Sequence, residues 1–282
     1  MDIASKESVK NLLENHKTRP EKKFGQNFLI NKGAIEKLIC AANLSKDDLV
    51  LEIGPGIGNL TQELAKRVGK VLAIEKDEKM IEILKETLAD FGNVEVVQED
   101  ARKINLKSYI PNSKSYKVLA NLPFYLTAPI IRKFLEVENP PDEMVFIIQK
   151  EVAQRICAKV PDMNLLAVSV QFYAKPEIIS YISKKSFWPQ PKVDSAIIRI
   201  SRICTNLPRI GANLPQIDTD SFFKVVKAGF SQPRKQLVNN LSKGLDIDKE
   251  KAKSWLQKNN IDHSRRAETL TLSEWENLAK SV

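Results

Sequence analysis

Between Leu49 and Gln149, five short apolar runs alternate with helical patterns, and this alternation restricts the fold more than any other feature of the chain. The runs are Leu49–Ile53, Val71–Glu75, Val94–Gln98, Lys117–Asn121 and Met144–Gln149. Each is mostly continuous in its apolar residues, as strands covered on both faces of a parallel sheet must be. Leu60–Val68 and Glu78–Ala89 carry helical periodicity between them. Repeated strand–helix units of this length specify a doubly wound α/β sheet with right-handed crossovers. Ile178–Ile182 and Val193–Ile200 are two further strands separated by a Pro- and aromatic-rich turn, Ser186 to Pro191. With no helix between them, they are expected to pair antiparallel at the sheet edge.

Beyond Ile200 the pattern changes. Residues 202–220 contain Pro208, Gly211, Pro215 and several Asn, which is linker chemistry. Phe222–Phe230, Pro233–Lys243, Lys249–Asn259 and Leu272–Val282 read as four short amphipathic helices. The expected organisation is a mostly parallel, Rossmann-like domain with an antiparallel edge over residues 1–203, followed by a small all-α domain over residues 204–282. Residues 1–23, polar and charged, are expected to be mobile.

Composition removes several classes. With 282 residues, 43% of them hydrophobic, the chain has ample core and is neither disordered nor fibrous. No run approaches the roughly 20 apolar residues of a membrane helix, and Met1–Lys10 has no apolar signal-peptide core, so a cytoplasmic protein with no membrane partner is expected. Cys40, Cys157 and Cys204 are odd in number and far apart, which suits reduced thiols. His16 and His263 lie at opposite ends with no ligand spacing around them, so no metal is expected. The net charge is +9, and residues 201–282 carry 14 basic and 9 acidic side chains. A basic smaller part suits a polyanionic partner, most often nucleic acid; a solvated basic face is the alternative.

The first strand runs into Glu52-Ile53-Gly54-Pro55-Gly56-Ile57-Gly58-Asn59 and then a helix. Glycines at such a turn let the backbone approach a ligand beside a helix N-terminus, although they also serve purely structural turns. The dinucleotide fingerprint wants a third small residue where this chain has Asn59. Glycines at every second residue after an acid are the variant of S-adenosylmethionine-dependent methyltransferases. The second and third strands lead to Glu75 and Asp100, at the edge where a parallel sheet binds ligands. The first can accept ribose hydroxyls, which a nicotinamide cofactor would use equally; the second can accept an adenine amine.

The fourth strand ends in Asn121-Leu122-Pro123-Phe124-Tyr125. An exocyclic adenine amine is a poor nucleophile because its lone pair is conjugated with the ring. Two acceptors, the Asn121 side-chain carbonyl and the Leu122 main-chain carbonyl, would favour a pyramidal nitrogen facing a methyl donor. Pro123 fixes φ, and Phe124 offers a face to a base taken out of its stack. Asn121, Leu122, Pro123 and Phe124 are therefore the candidate catalytic motif, working by positioning rather than by a general base.

On these residues the chain resembles the ribosomal RNA small-subunit adenine dimethyltransferases. The resemblance runs from Lys23 to about Leu272 and includes Phe24-Gly25-Gln26-Asn27-Phe28-Leu29, the glycine turn, Glu75, Asp100 and Asn121–Phe124. It continues in Gln149–Ala153, Phe187–Ser195 and the basic run Phe230–Leu237. It implies S-adenosyl-L-methionine as cofactor and dimethylation of the N6 amines of two adjacent adenosines near the 3′ end of small-subunit rRNA. The partner would be that rRNA, within a partly assembled small ribosomal subunit, and the enzyme a monomer. Asn27, Leu29, Gly54, Gly56, Glu75, Asp100 and Asn121 would contact the cofactor. In the smaller domain, Lys224, Lys227, Arg234 and Lys235 would lie on RNA phosphates, with Arg265 and Arg266 extending that surface. Three positions depart from the family pattern. Phe124 replaces a frequent Tyr, Val160–Asn164 replaces a Gly/Tyr-containing loop, and Pro233 stands where a second Arg is usual.

Overall fold

The structure is a computed structural model that describes residues 3, 5–111, 115–202 and 218–281. Its main sheet has seven strands in the order β4-β3-β2-β5-β6-β9-β7. These are β2 (Leu49–Ile53), β3 (Lys70–Glu75), β4 (Val94–Gln98), β5 (Lys117–Asn121), β6 (Glu143–Gln149), β7 (Ala174–Ile182) and β9 (Ser195–Arg202). Strands β2 to β6 are parallel, with Ile53 opposite Ile74 and Asn121 opposite Ile147. Strand β9 joins β6 antiparallel, Ser195 opposite Gln149, and β7 is the edge. The doubly wound sheet and its antiparallel edge match the expectation.

Chain order reverses between β2 and β5: the chain moves from β2 to β3 and β4 on one side, then returns to β5 and β6 on the other. Loops leaving the carboxyl ends of those two strands diverge and open a crevice, the usual ligand position of such sheets. The glycine turn and the Asn121 motif are those two loops. Val50, Leu51, Val118 and Leu119 in the central strands are fully buried, which explains their continuous apolar pattern. Helices α2 (Lys32–Ala41) and α3 (Asn59–Ala65) cover one face, where Leu38 and Leu64 pack with Val50, Leu119 and Val145. The crossovers also carry α4 (Glu78–Thr87) and α5 (Thr127–Glu136), and α6 (Lys150–Ile156) follows β6.

Part of the N-terminal segment, expected to be mobile, is helical and packed on its neighbours. Residues Lys6–Asn15 form helix α1, N-capped by the Ser5 side chain on the Ser8 N–H. Val9, Leu12 and Leu13 share one face and bury with Ile3, Phe28, Ile57, Met80 and Ile83. His16 Nε2 lies 2.7 Å from Glu86 Oε2 on α4 and fastens the end of the helix. Further on, β1 (Phe28–Leu29) pairs antiparallel with β8 (Phe187–Trp188) in a separate two-stranded sheet. The segment is thus a strap over the glycine turn.

Contacts divide the chain into two compact units. The first comprises Met1–Ala153 and Glu177–Arg202, the second Gln154–Pro176 and Ile203–Val282. A boundary near residue 203 therefore misassigns residues 154–176. Helix α7 (Leu165–Gln171) lies in that stretch, and its neighbours Met163 and Phe172 bury in the C-terminal core, with Phe172 stacked on Phe222 at 4.1 Å. The remaining helices of the unit are α8 (Thr219–Gly229), α9 (Leu237–Leu245), α10 (Lys249–Lys258) and α11 (Leu272–Lys280). Helix α9 starts at Leu237, not Pro233. The Asn240 amide donates to the carbonyls of Gly229 (2.6 Å) and Gln232 (3.0 Å), which holds residues 230–236 as a turn. Most of the linker read over 202–220 lies outside the described residues.

Gly229, the last residue of α8, faces Trp275, and a Cβ there would overlap the indole. Gly229→Ala is expected to destabilise the unit by about 1–3 kcal/mol through overpacking. Denaturant unfolding with a midpoint equal to that of the parent would contradict the packing described.

Candidate active site

In the first unit, the loops leaving β2, β3 and β5 and the strap of β1 line one cavity. Gly54 (φ +68°) lies in its wall, and a Cβ built there meets nothing within 4 Å, so backbone conformation and ligand approach are what require glycine. A Cβ on Gly56 would stand 3.2 Å from the Phe28 ring, so this glycine lets the strap close down on the turn.

Two acids support the turn. Glu75 Oε2 accepts from the Gly56 N–H at 3.1 Å, and Oε1 accepts from the N–H groups of Lys76 and Asp77 at 2.7 and 2.9 Å. Burial pushes its carboxyl above the ordinary range against these donors. Glu52 is 2% exposed, and burial pushes its carboxyl up to about 8, with the Thr61 hydroxyl opposing and the Glu75 charge adding. Its Oε2 has no hydrogen-bond partner among the described residues, although Glu52 lines the cavity. The sequence drew notice to Glu52 only as the acid before the glycines.

Asp100 reaches the same cavity, but its acceptors are filled. Oδ1 takes the Arg102 N–H and Nε, both at 3.0 Å, while Oδ2 takes Arg102 Nη2 at 2.6 Å and Lys76 Nζ at 3.0 Å. The Arg102 guanidinium, with Lys76, holds the carboxyl below the usual carboxylate range. A carboxylate offers about four acceptor directions. Any further donor would have to displace one of these.

Asn121 ends β5 in the opposite wall, and its Nδ2 donates to the Asn27 main-chain carbonyl at 2.9 Å. With one amide N–H given to the strap, Oδ1 is the acceptor that the side chain has to offer. The Asn27 side chain in turn donates to the Gly25 carbonyl at 3.0 Å. Leu122 lines the cavity with its side chain buried and its N–H donating to the Ile147 carbonyl at 3.1 Å. Pro123 has φ −54° and ψ 137° and starts the turn Phe124–Leu126, where Phe124 is half-buried and Tyr125 exposed at the cavity wall.

The structure thus brings Asn27, Leu29, Gly54, Gly56, Glu75, Asp100 and Asn121–Phe124 around one cavity. What joins the strap to the turn is Asn59, whose amide donates to the Leu29 carbonyl while its Oδ1 accepts from the Leu60 N–H at 3.0 Å. In the sequence this residue signified only a departure from the dinucleotide fingerprint. Its partner lies 30 residues upstream, beyond any local pattern.

In the second unit, Lys224 and Lys227 are exposed on α8, and Arg234 and Lys235 are exposed in the turn before α9. Arg265 does not extend this surface. Its guanidinium is bound to both Glu274 oxygens, at 2.5 and 3.2 Å, and to the Thr269 carbonyl.

Comparison with known proteins agrees with this geometry. Residues 16–279 match the family described as ribosomal RNA adenine dimethylase. The chain is 42% identical to Ribosomal RNA small subunit methyltransferase A of Alkaliphilus metalliredigens, over 99% of this chain and 98% of that protein. It is 41% identical to the protein of the same name from Dehalococcoides mccartyi, over 96% of this chain and 91% of that protein. Among solved structures, a dimethyladenosine transferase from Plasmodium falciparum superposes with a TM-score of 0.71 at 27% identity, covering 88% of this chain and 94% of that one. By fold, cavity and sequence together, the chain belongs to the ribosomal RNA adenine dimethylase family.

Proposed function

We propose that the protein transfers methyl groups from S-adenosylmethionine to the N6 amines of two adjacent adenosines near the 3′ end of small-subunit rRNA. The product is N6,N6-dimethyladenosine, made in the cytoplasm by a monomer acting on a partly assembled small subunit. The observation that carries this reading is the Asn121 amide, held by the Asn27 carbonyl in the wall of a cavity that also contains Gly54 and Glu75. The names of the full-length relatives support the small subunit as target.

The cavity suits the cofactor. Gly54 leaves room for close approach, buried Glu52 offers an unpartnered oxygen, and carboxylates stand at successive strand ends. Gly54, Gly56, Asn27 and Leu29 would hold its methionine end, Glu75 the ribose, and Asp100 the adenine once Arg102 or Lys76 yields. When bound, S-adenosylmethionine supplies an electrophilic methyl group on a sulfonium. Asn121 Oδ1 and the Leu122 carbonyl accept the two hydrogens of the target amine and turn its lone pair towards that methyl group. Phe124 stacks on the extruded base. Catalysis is then positioning and electrostatics, with no general base required. Lys224, Lys227, Arg234 and Lys235 hold phosphates without reading sequence.

Incubation with labelled cofactor and, separately, partly assembled small subunits, naked small-subunit rRNA and large-subunit rRNA tests this reading. Label is expected in small-subunit adenosines; label confined to large-subunit rRNA would overturn it. Glu75→Ala is expected to weaken cofactor binding by about 1.5–3 kcal/mol through lost charge-assisted hydrogen bonds. Calorimetric titration in which the parent takes up NAD but no S-adenosylmethionine would contradict the cofactor assignment.

A further inference from the structure

The catalytic edge of the sheet carries a second surface, outside the cavity. Tyr181, at the end of edge strand β7, is 51% exposed. Lys150, the first residue after β6, places Nζ 5.1 Å from the centroid of its ring. Both belong to the first unit. Asp194 fastens the segment that follows Tyr181: its carbonyl accepts from the Lys150 N–H at 3.0 Å and its Oδ1 from the Lys184 N–H at 2.9 Å. Asp194 is next to Ser195, which lines the cavity.

Lys185 and Lys192 are exposed on the same segment, and so is Val193. Lys150–Glu151 and the segment Tyr181–Asp194 together carry four lysines and two acids, Glu151 and Asp194. An exposed aromatic ring in water, with an ammonium over one face and further lysines in the segment that follows it, is poorly explained by packing. It has the composition of a surface that stacks a base and neutralises its phosphates. Strand β7 lies three strands from β5, about 14 Å at the usual interstrand spacing. That is too far to touch the base held by Asn121 and Phe124, but within reach of a neighbouring nucleotide.

We infer that Tyr181, with Lys150, Lys184 and Lys185, forms a stacking platform for an unpaired rRNA nucleotide flanking the target adenosines. The inference rests on the methyltransferase reading above and adds a contact on the catalytic unit itself. Tyr181 supplies the π-face, Lys150 closes the opposite face of the ring and contributes charge, and Lys184 and Lys185 meet the backbone. The contact is indifferent to base identity, because every base has a π-face.

Affinity of the full-length protein for a transcript of the small-subunit 3′ hairpin tests it, with a blunt duplex of equal length as comparison. Tyr181→Ala is expected to weaken hairpin binding about tenfold and duplex binding far less, while Tyr181→Phe keeps the parental value. Cofactor affinity, read in the same preparations, should be unchanged. Replacing Lys150, Lys184 and Lys185 together by Ala should flatten the salt dependence of hairpin binding by about 0.7 per charge removed. Tyr181→Ala binding the hairpin like the parent, while the parent still methylates rRNA, would overturn the platform alone. A parent that binds cofactor but neither binds nor methylates the hairpin RNA in any assembled form would overturn the functional reading and the platform with it.

Discussion

Asn121→Ala is expected to slow methyl transfer by about 30- to 1,000-fold, equivalent to roughly 2–4 kcal/mol of transition-state stabilisation. In this structure the side-chain amide donates to the Asn27 carbonyl, which leaves its oxygen for the acceptor role proposed above. That acceptor matters most as the amine pyramidalises and positive charge develops on it, so the loss falls on the rate rather than on RNA affinity. RNA binding should change by less than about threefold, because phosphate contacts supply most of it. The rate must be measured in single turnover at saturating S-adenosylmethionine, since loosening the strap also weakens cofactor binding. Phe124→Ala should differ by weakening capture of the extruded base by about 1–3 kcal/mol as well as slowing transfer. A parental rate for Asn121→Ala under those conditions would leave the motif a structural turn.

Glu52→Gln is expected to change how stability depends on pH. Burial pushes the Glu52 carboxyl up from 4.5 to about 8, so between those values the folded protein keeps a proton that the unfolded chain has released. Its contribution is complete below about pH 4.5 and is lost as pH rises through about 8. The full swing is on the order of 5 kcal/mol. Gln has the same shape and does not titrate. The variant should match the parent within about 1 kcal/mol at pH 5 and be more stable by several kcal/mol at pH 9. Glu75, also pushed up by burial, is present in both proteins, and its charge contributes to the Glu52 shift. Denaturant unfolding of the ligand-free proteins at both pH values reads the effect, and parallel profiles would show that Glu52 does not carry it.

The sheet was legible because parallel strands leave an uninterrupted apolar run, and Leu49–Ile53 and Lys117–Asn121 were bounded to the residue. The cavity was legible because glycines and acids at strand ends must converge once the strand order reverses. Helix α1 was hidden by its charge: Val9, Leu12 and Leu13 keep helical spacing, but they are sparse among Lys and Glu. The position of residues 154–176 was hidden because the stacking of Phe172 on Phe222 joins distant parts of the chain. Asn59 and Asn27 act through main-chain carbonyls of other segments, which no side-chain pattern reveals. The Asp100 ion pair with Arg102 is adjacent in sequence, yet its consequence for the cavity depends on rotamers.

The most direct test is mass mapping of nuclease fragments from small-subunit rRNA after incubation with the protein and labelled S-adenosylmethionine. The account predicts two methyl groups on each of two neighbouring adenosines near the 3′ end, lost together in Asn121→Ala. Label at a single isolated adenosine, on another base, or undiminished in Asn121→Ala would contradict it.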